Sequence, residues 1–219
     1  MAEQAEKLAR GSLNGRQPTS HEQMTGRPWD ASYQGEGAPW DIGRPQAAFV
    51  RVAAESGFAG AVLDAGCGSG EHALLAASLG LPVLGVDVAE TALAMARKKA
   101  AERGLKAEFT EADALHLERL GRRFETVLDC GLFHTFNAEE RPEYVASLAS
   151  VTEPGGTLYV LCFRDVGSES GPHPVGEDEV RAAFQPGGGW EIASLEPDQI
   201  ETRFGHKGFG AWFVTVRRV

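Results

Sequence analysis

Positive charge is scarce in this chain. Its 21 lysines and arginines face 31 aspartates and glutamates, a formal net charge of -10 over 219 residues. A surface so short of cations is poorly suited to phosphate backbones, which excludes nucleic acid as an expected partner. Long apolar runs are also missing. No stretch is long enough to span a bilayer, so no membrane partner is expected. The start, Met1-Ala2-Glu3-Gln4-Ala5-Glu6, lacks the apolar core of a signal peptide, and a cytoplasmic location is expected. Cysteine is limited to Cys67, Cys130 and Cys162, with no C-x-x-C and no Cys/His ligand spacing. Free buried thiols are expected, with no disulfide and no metal. No internal repeat or second domain is visible.

What is present is glycine and a moderate apolar content. The hydrophobic share of 42% and charged share of 24% suit one soluble α/β domain. Its focus is Val62-Leu63-Asp64-Ala65-Gly66-Cys67-Gly68-Ser69-Gly70-Glu71. An apolar run ends in an acid, passes three alternating glycines and opens into an alanine-rich segment. That pattern predicts strand, tight turn and helix. The bare backbone can approach a ligand, and the helix start offers free N–H groups.

Acids close the neighbouring runs as well. Asp87 ends Pro82-Val83-Leu84-Gly85-Val86-Asp87, where an acid holds ribose hydroxyls in nucleotide-binding folds. The dinucleotide fingerprint wants G-x-G-x-x-G, but here the spacing is G-x-G-x-G and Glu71 takes the third-glycine place. Asp64 would repel a pyrophosphate and suits a ligand with a cationic centre and an ammonium group. Both features weigh against a nicotinamide-dependent reductase.

Four motifs in order resemble the class I S-adenosylmethionine-dependent methyltransferases. They are Asp64 to Gly70, then Gly85-Val86-Asp87-Val88, Glu111-Ala112-Asp113-Ala114 and Phe124 to Cys130. The likeness runs from about Trp40 to the C-terminus. It implies a Rossmann-like seven-stranded sheet, mostly parallel with an antiparallel last strand and helices on both faces. It also implies S-adenosylmethionine as cofactor. Asp64, Gly66 and Gly68 would surround its methionine part, Asp87 would hold its ribose, and Asp113 and Ala114 its adenine, with Cys67 and Val88 among the other cofactor contacts. Cys130 would offer backbone near the sulfonium, with Trp40 closing over it.

Residues 1–32 are polar and are expected to form a flexible arm or a lid, with a short helix at 3–10. Residues 33–219 form the domain. The loop Pro39-Trp40-Asp41-Ile42-Gly43-Arg44-Pro45-Gln46 is similar to that of a small-molecule subgroup that includes thiopurine, halide/thiol and heterocyclic-toxin methyltransferases. There it lines the cofactor and acceptor pocket. His72 lies in the first turn of a helix. The basic trio Arg97, Lys98 and Lys99 reads as a solvated face. The fourth strand delivers Asp129 to His134 to the carboxyl edge of the sheet. Its sequence lacks the Asn/Asp-Pro-Pro-aromatic motif of enzymes that methylate amino groups of DNA bases. A glycine turn is expected at 154–156, a covering loop at 164–174, and two closing antiparallel strands at 190–197 and 211–218. The connection at 204–209 carries His206 and Phe209.

The expected activity is methyl transfer to an oxygen or nitrogen of a small aromatic or heterocyclic acceptor. Tyr33, Phe133, His134 and Phe163 are the candidate acceptor contacts. His134 is either a general base or a wall residue that orders a loop. A thiol or halide acceptor, and a cofactor-binding protein without catalysis, remain as alternatives. A monomer or homodimer is expected.

Overall fold

The computed structural model describes residues 13, 15–55, 57–165 and 174–219, apart from the side chains of 205–207. The expected helix at 3–10, most of the covering loop at 164–174 and the His206 side chain lie outside these. The strands are β1 (Val62–Ala65), β2 (Val83–Asp87), β3 (Glu108–Glu111), β4 (Phe124–Cys130), β5 (Thr152–Phe163), β6 (Trp190–Thr202) and β7 (Gly205–Arg218). They form one sheet in the order β3-β2-β1-β4-β5-β7-β6. Pairings from β3 to β5 are parallel, and β7 runs antiparallel to both β5 and β6.

Alternation along the strands supplies two cores. Leu63 and Ala65 of β1 and Leu158, Val160 and Cys162 of β5 enter one cluster. There they meet Tyr144 and Leu148 of α5 (Arg141–Val151) and Val180 of α6 (Glu177–Ala183). Val62, Tyr159 and Leu161 enter the other. They meet Phe49 and Val52 of α2 (Ala47–Ala54) and Ala73 and Ala76 of α3 (Glu71–Ser78). Helix α4 (Glu90–Arg103) packs beside β2 and β3. A short α1 (Ser20–Thr25) precedes the domain.

Two expected connections differ. The turn at 154–156 is an irregularity inside β5: Thr152 pairs with Phe124, and pairing resumes at Thr157 with Thr126. The last two strands also continue beyond 197 and before 211. Ile200 pairs with Phe209, and Thr202 with Gly205. The apolar Ile200–Phe209 pair keeps the hairpin zipped far past the sheet's edge, where polarity alone suggested a loop.

Candidate active site

The carboxyl ends of β1, β2 and β4 open into a cleft of about 450 Å³. Its floor is the glycine turn. Gly66 and Gly68 have φ of +69° and +51°, where side chains are disfavoured. Space forbids them too. A Cβ at Gly66 would lie 2.8 Å from Leu132 Cδ2, and one at Gly68 would lie 2.6 Å from the Tyr33 hydroxyl. The Cys67 N–H donates to the Val86 carbonyl at 2.8 Å, and the Gly68 N–H to Asp87 Oδ2 at 2.8 Å. Asp87 Oδ1 accepts from the Ala89 N–H at 2.9 Å. One carboxylate thus sets both the turn and the entry to α4.

Asp64 is only 1% exposed and sits behind the cleft wall. Its Oδ2 accepts from the Ala73 N–H at 2.9 Å, while Oδ1 has no hydrogen-bond partner among the described residues. Burial pushes its pKa up to about 7, against the pull of that N–H. Burial also raises Asp87. Asp113 accepts from the Leu115 N–H at 3.0 Å and, with Ala112 and Ala114, lines the cleft. Cys67, Val88 and Cys130 line it as well. The three cysteines are free thiols. Beneath the turn, Glu71 takes two hydrogen bonds from Arg103, at 2.8 and 2.9 Å, and pairs with Lys99 at 2.8 Å. Burial favours protonation of Glu71, but these cations prevail and lower its pKa. Lys99 also donates to Ser69 at 2.6 Å, so it is not the solvated residue expected from its neighbours.

The turn after β4 forms the next wall. Asp129 is fully buried and accepts from the N–H groups of Leu132 (2.9 Å) and Phe133 (3.1 Å) and from the Tyr144 hydroxyl (2.8 Å). Burial raises its pKa to about 6. This carboxyl folds residues 131–135 so that Leu132 covers Gly66 and His134 and Thr135 face the cleft. His134 Nδ1 accepts the Phe163 N–H at 3.2 Å, which places the proton of a neutral ring on Nε2. That bond suits a wall residue and not a general base. The His134 ring packs tilted against Phe163 at 4.4 Å, and Phe163 meets the edge of Phe209 at 5.9 Å. Phe133, expected at the acceptor, instead packs in the core against Phe184 at 5.5 Å. Its neighbours in the turn alternate outward while it turns in.

The roof is the N-terminal segment. Residues 15–33 carry α1 and the 3-10 turn Trp29–Tyr33. They are tied to the domain by Ser20 N–H to Glu140 at 2.6 Å and by Thr91 N–H to Asp30 at 2.7 Å. Buried Glu22 binds Arg16 and the N–H groups of Thr19 and Trp29. Trp29 stacks on His21 at 4.3 Å, and Trp40 donates to the Tyr33 hydroxyl at 3.0 Å. Tyr33 presses on the glycine turn at Gly68 and lines the same cleft. His72 Nε2 accepts the Gln46 N–H at 3.1 Å, and burial holds its pKa at about 4. Both ends of the Gln46 amide bond the backbone of Glu201 at 2.8 Å. Sequence reasoning did not assign Arg16, Lys99, Asp129, Thr135 or Ile200. Only Asp129 carried a signal, as a second acid closing a central strand.

This arrangement fits S-adenosylmethionine. The orphaned Asp64 oxygen matches an ammonium or a bridging water, and the bare turn leaves room that any Cβ would fill. A model of a methyltransferase domain matches residues 62–156. A 2-heptyl-1-hydroxyquinolin-4(1H)-one methyltransferase of Mycobacteroides abscessus is 34% identical over 183 residues, covering 78% of this chain and 80% of the relative. Thiocyanate methyltransferase 1 of Arabidopsis thaliana is 28% identical, covering 84% and 83%. A solved structure concerned with conversion of a disulfide bond into a thioacetal group during echinomycin biosynthesis superposes with a TM-score of 0.77. It is 35% identical and covers 86% of this chain and 89% of that one. With acids closing β1 and β2 around a bare-backbone turn, and relatives that match over most of their length, this chain belongs to the class I S-adenosylmethionine-dependent methyltransferases.

Proposed function

We propose that this enzyme methylates an oxygen or nitrogen of a small, flat heteroaromatic acceptor, with an acidic ring hydroxyl as the preferred nucleophile. The observation that carries the reading is the aromatic wall at the acceptor end, where His134, Phe163 and Phe209 stand in sequence and His134 is poorly placed to take a proton. An acceptor that ionises by itself needs no base. The hydroxyquinolinone named for the Mycobacteroides relative is of this class.

S-adenosylmethionine supplies a methyl group on a cationic sulfur that needs no further activation. The chain's own residues bind, align and exclude water. Asp64, Gly66, Cys67 and Gly68 take the methionine part, Asp87 and Val88 the ribose, and Asp113 and Ala114 the adenine. Cys130 presents backbone beside the reacting centre. Trp40 and Tyr33 cover it, and residues 15–33 act as a lid. His134 and Phe163 hold the acceptor ring in line with the methyl carbon, an alignment worth ~7–11 kcal/mol in well-oriented systems.

A sulfur acceptor is the second reading, favoured by the thioacetal-related structure and the thiocyanate relative. Labelled-methyl transfer to hydroxyquinolines, thiols and iodide separates the two. Methylated hydroxyquinoline is the expected product. Transfer to thiols or iodide alone would establish the second reading. Tight S-adenosylhomocysteine binding with no transfer to any acceptor would point to a binding protein without catalysis.

A further inference from the structure

We infer that the acceptor carries an apolar tail, and that the tail lies along the inner face of the β6–β7 hairpin against Ile200, Phe209 and Phe204. This inference rests on the acceptor reading above. Ile200 and Phe209 are cross-strand partners, so their side chains leave the sheet on one face. Ile200 begins at the transfer end: its Cδ1 lies 3.7 Å from where a Cβ on Gly131 would stand. Phe209 continues the wall that starts at His134 and Phe163. Thr202, two residues beyond Ile200, lines the same cleft. Phe204 lines it at the hairpin turn and is 80% exposed.

Among the described side chains, the charged residues between these, Glu201 and Arg203, are engaged elsewhere. Glu201 pairs with Arg44, and Arg203 binds the Glu36 carbonyl and donates its own N–H to the Pro39 carbonyl at 2.8 Å. The result is a track of roughly 10 Å from Ile200 to the turn that, among the described side chains, is apolar but for Thr202. A bicyclic ring held at His134 and Phe163 leaves that track uncovered. A phenyl group open to water at the end of a wall that includes Ile200 and Phe209 is a feature that a hydrocarbon chain would satisfy.

The test is a chain-length series of 4-hydroxyquinolines bearing hydrogen, propyl, pentyl or heptyl at carbon 2. With wild-type enzyme, kcat/KM should rise twofold to fourfold per methylene, up to the ~0.8 kcal/mol of one buried CH2. Phe204→Ser should lower the heptyl-to-parent ratio at least fivefold, and Phe204→Leu should restore most of it. A flat series, or an unchanged ratio in Phe204→Ser, overturns the inference. Fluorescence titration of S-adenosylhomocysteine-loaded protein with dansyl amides of butyl-, hexyl- and octylamine reads the same track without turnover. Failed methyl transfer with chain-dependent dye binding would sink the acceptor class and keep the tail. Methylation of the unsubstituted ring without any chain dependence would do the reverse.

Discussion

Asp64 holds a carboxylate where burial resists one, and this gives cofactor binding a pH signature. With its pKa near 7, the group is largely protonated at pH 6 and ionised at pH 8. An ammonium favours the ionised form, so S-adenosylhomocysteine should bind more tightly at pH 8 than at pH 6 in calorimetric titrations. Asp64→Asn should flatten that dependence and weaken binding at pH 8 by ~1.5–3 kcal/mol, the range for a hydrogen bond to a charged group. Equal pH slopes in wild type and variant would remove Asp64 from the site. At this scale the acids at the ends of β1 and β2 were readable from position alone. Phe133 and Lys99 were not, because the direction of Phe133 depends on a turn that Asp129 folds, and that of Lys99 on a buried partner, Glu71, in a different helix.

At the scale of elements, the Gln46 side chain is one of the ties between the hairpin and the Trp40 loop, beside the Arg44–Glu201 pair and the Arg203 bonds to Glu36 and Pro39. Gln46 makes two hydrogen bonds of 2.8 Å to Glu201. Gln46→Ala removes both and strands a backbone N–H and a carbonyl. At ~1 kcal/mol for each bond, and roughly 2–4 °C per kcal/mol in a chain of this size, the melting temperature should fall by about 4–8 °C. Amide exchange at Glu201 should accelerate, and an unchanged exchange rate would show that the clip is idle. The parallel strands and their helices followed from apolar runs and glycine punctuation. The length of β6 and β7 did not. The segment 204–209 reads as a connection, and the strand pairing that extends through Ile200 with Phe209 and Thr202 with Gly205 takes most of it into the hairpin.

For the whole molecule, buried titrating groups set the balance of stability against pH. Asp64 and Asp129 have folded pKa values of about 7 and 6, above the ordinary 3.8. Each stabilises the fold fully below pH ~4, and that contribution is lost as pH rises through the folded value. His72, depressed to about 4, acts in the opposite sense between pH 4 and 6.5. Two acids oppose one imidazole, so the ligand-free protein should unfold at lower denaturant at pH 8 than at pH 5. Saturating S-adenosylhomocysteine should narrow the gap. A higher midpoint at pH 8 without ligand would contradict this account.

The split of the cleft along the chain has an evolutionary consequence. In the proposed reading, the donor's contacts beneath the N-terminal roof fall between Asp64 and Cys130, while the track beyond Phe163 belongs to the final hairpin. Drift or recombination in the C-terminal segment can therefore redirect such an enzyme to new metabolites without disturbing how it handles the nucleoside. Grafting another family member's hairpin onto this scaffold is thus a direct route to altered selectivity.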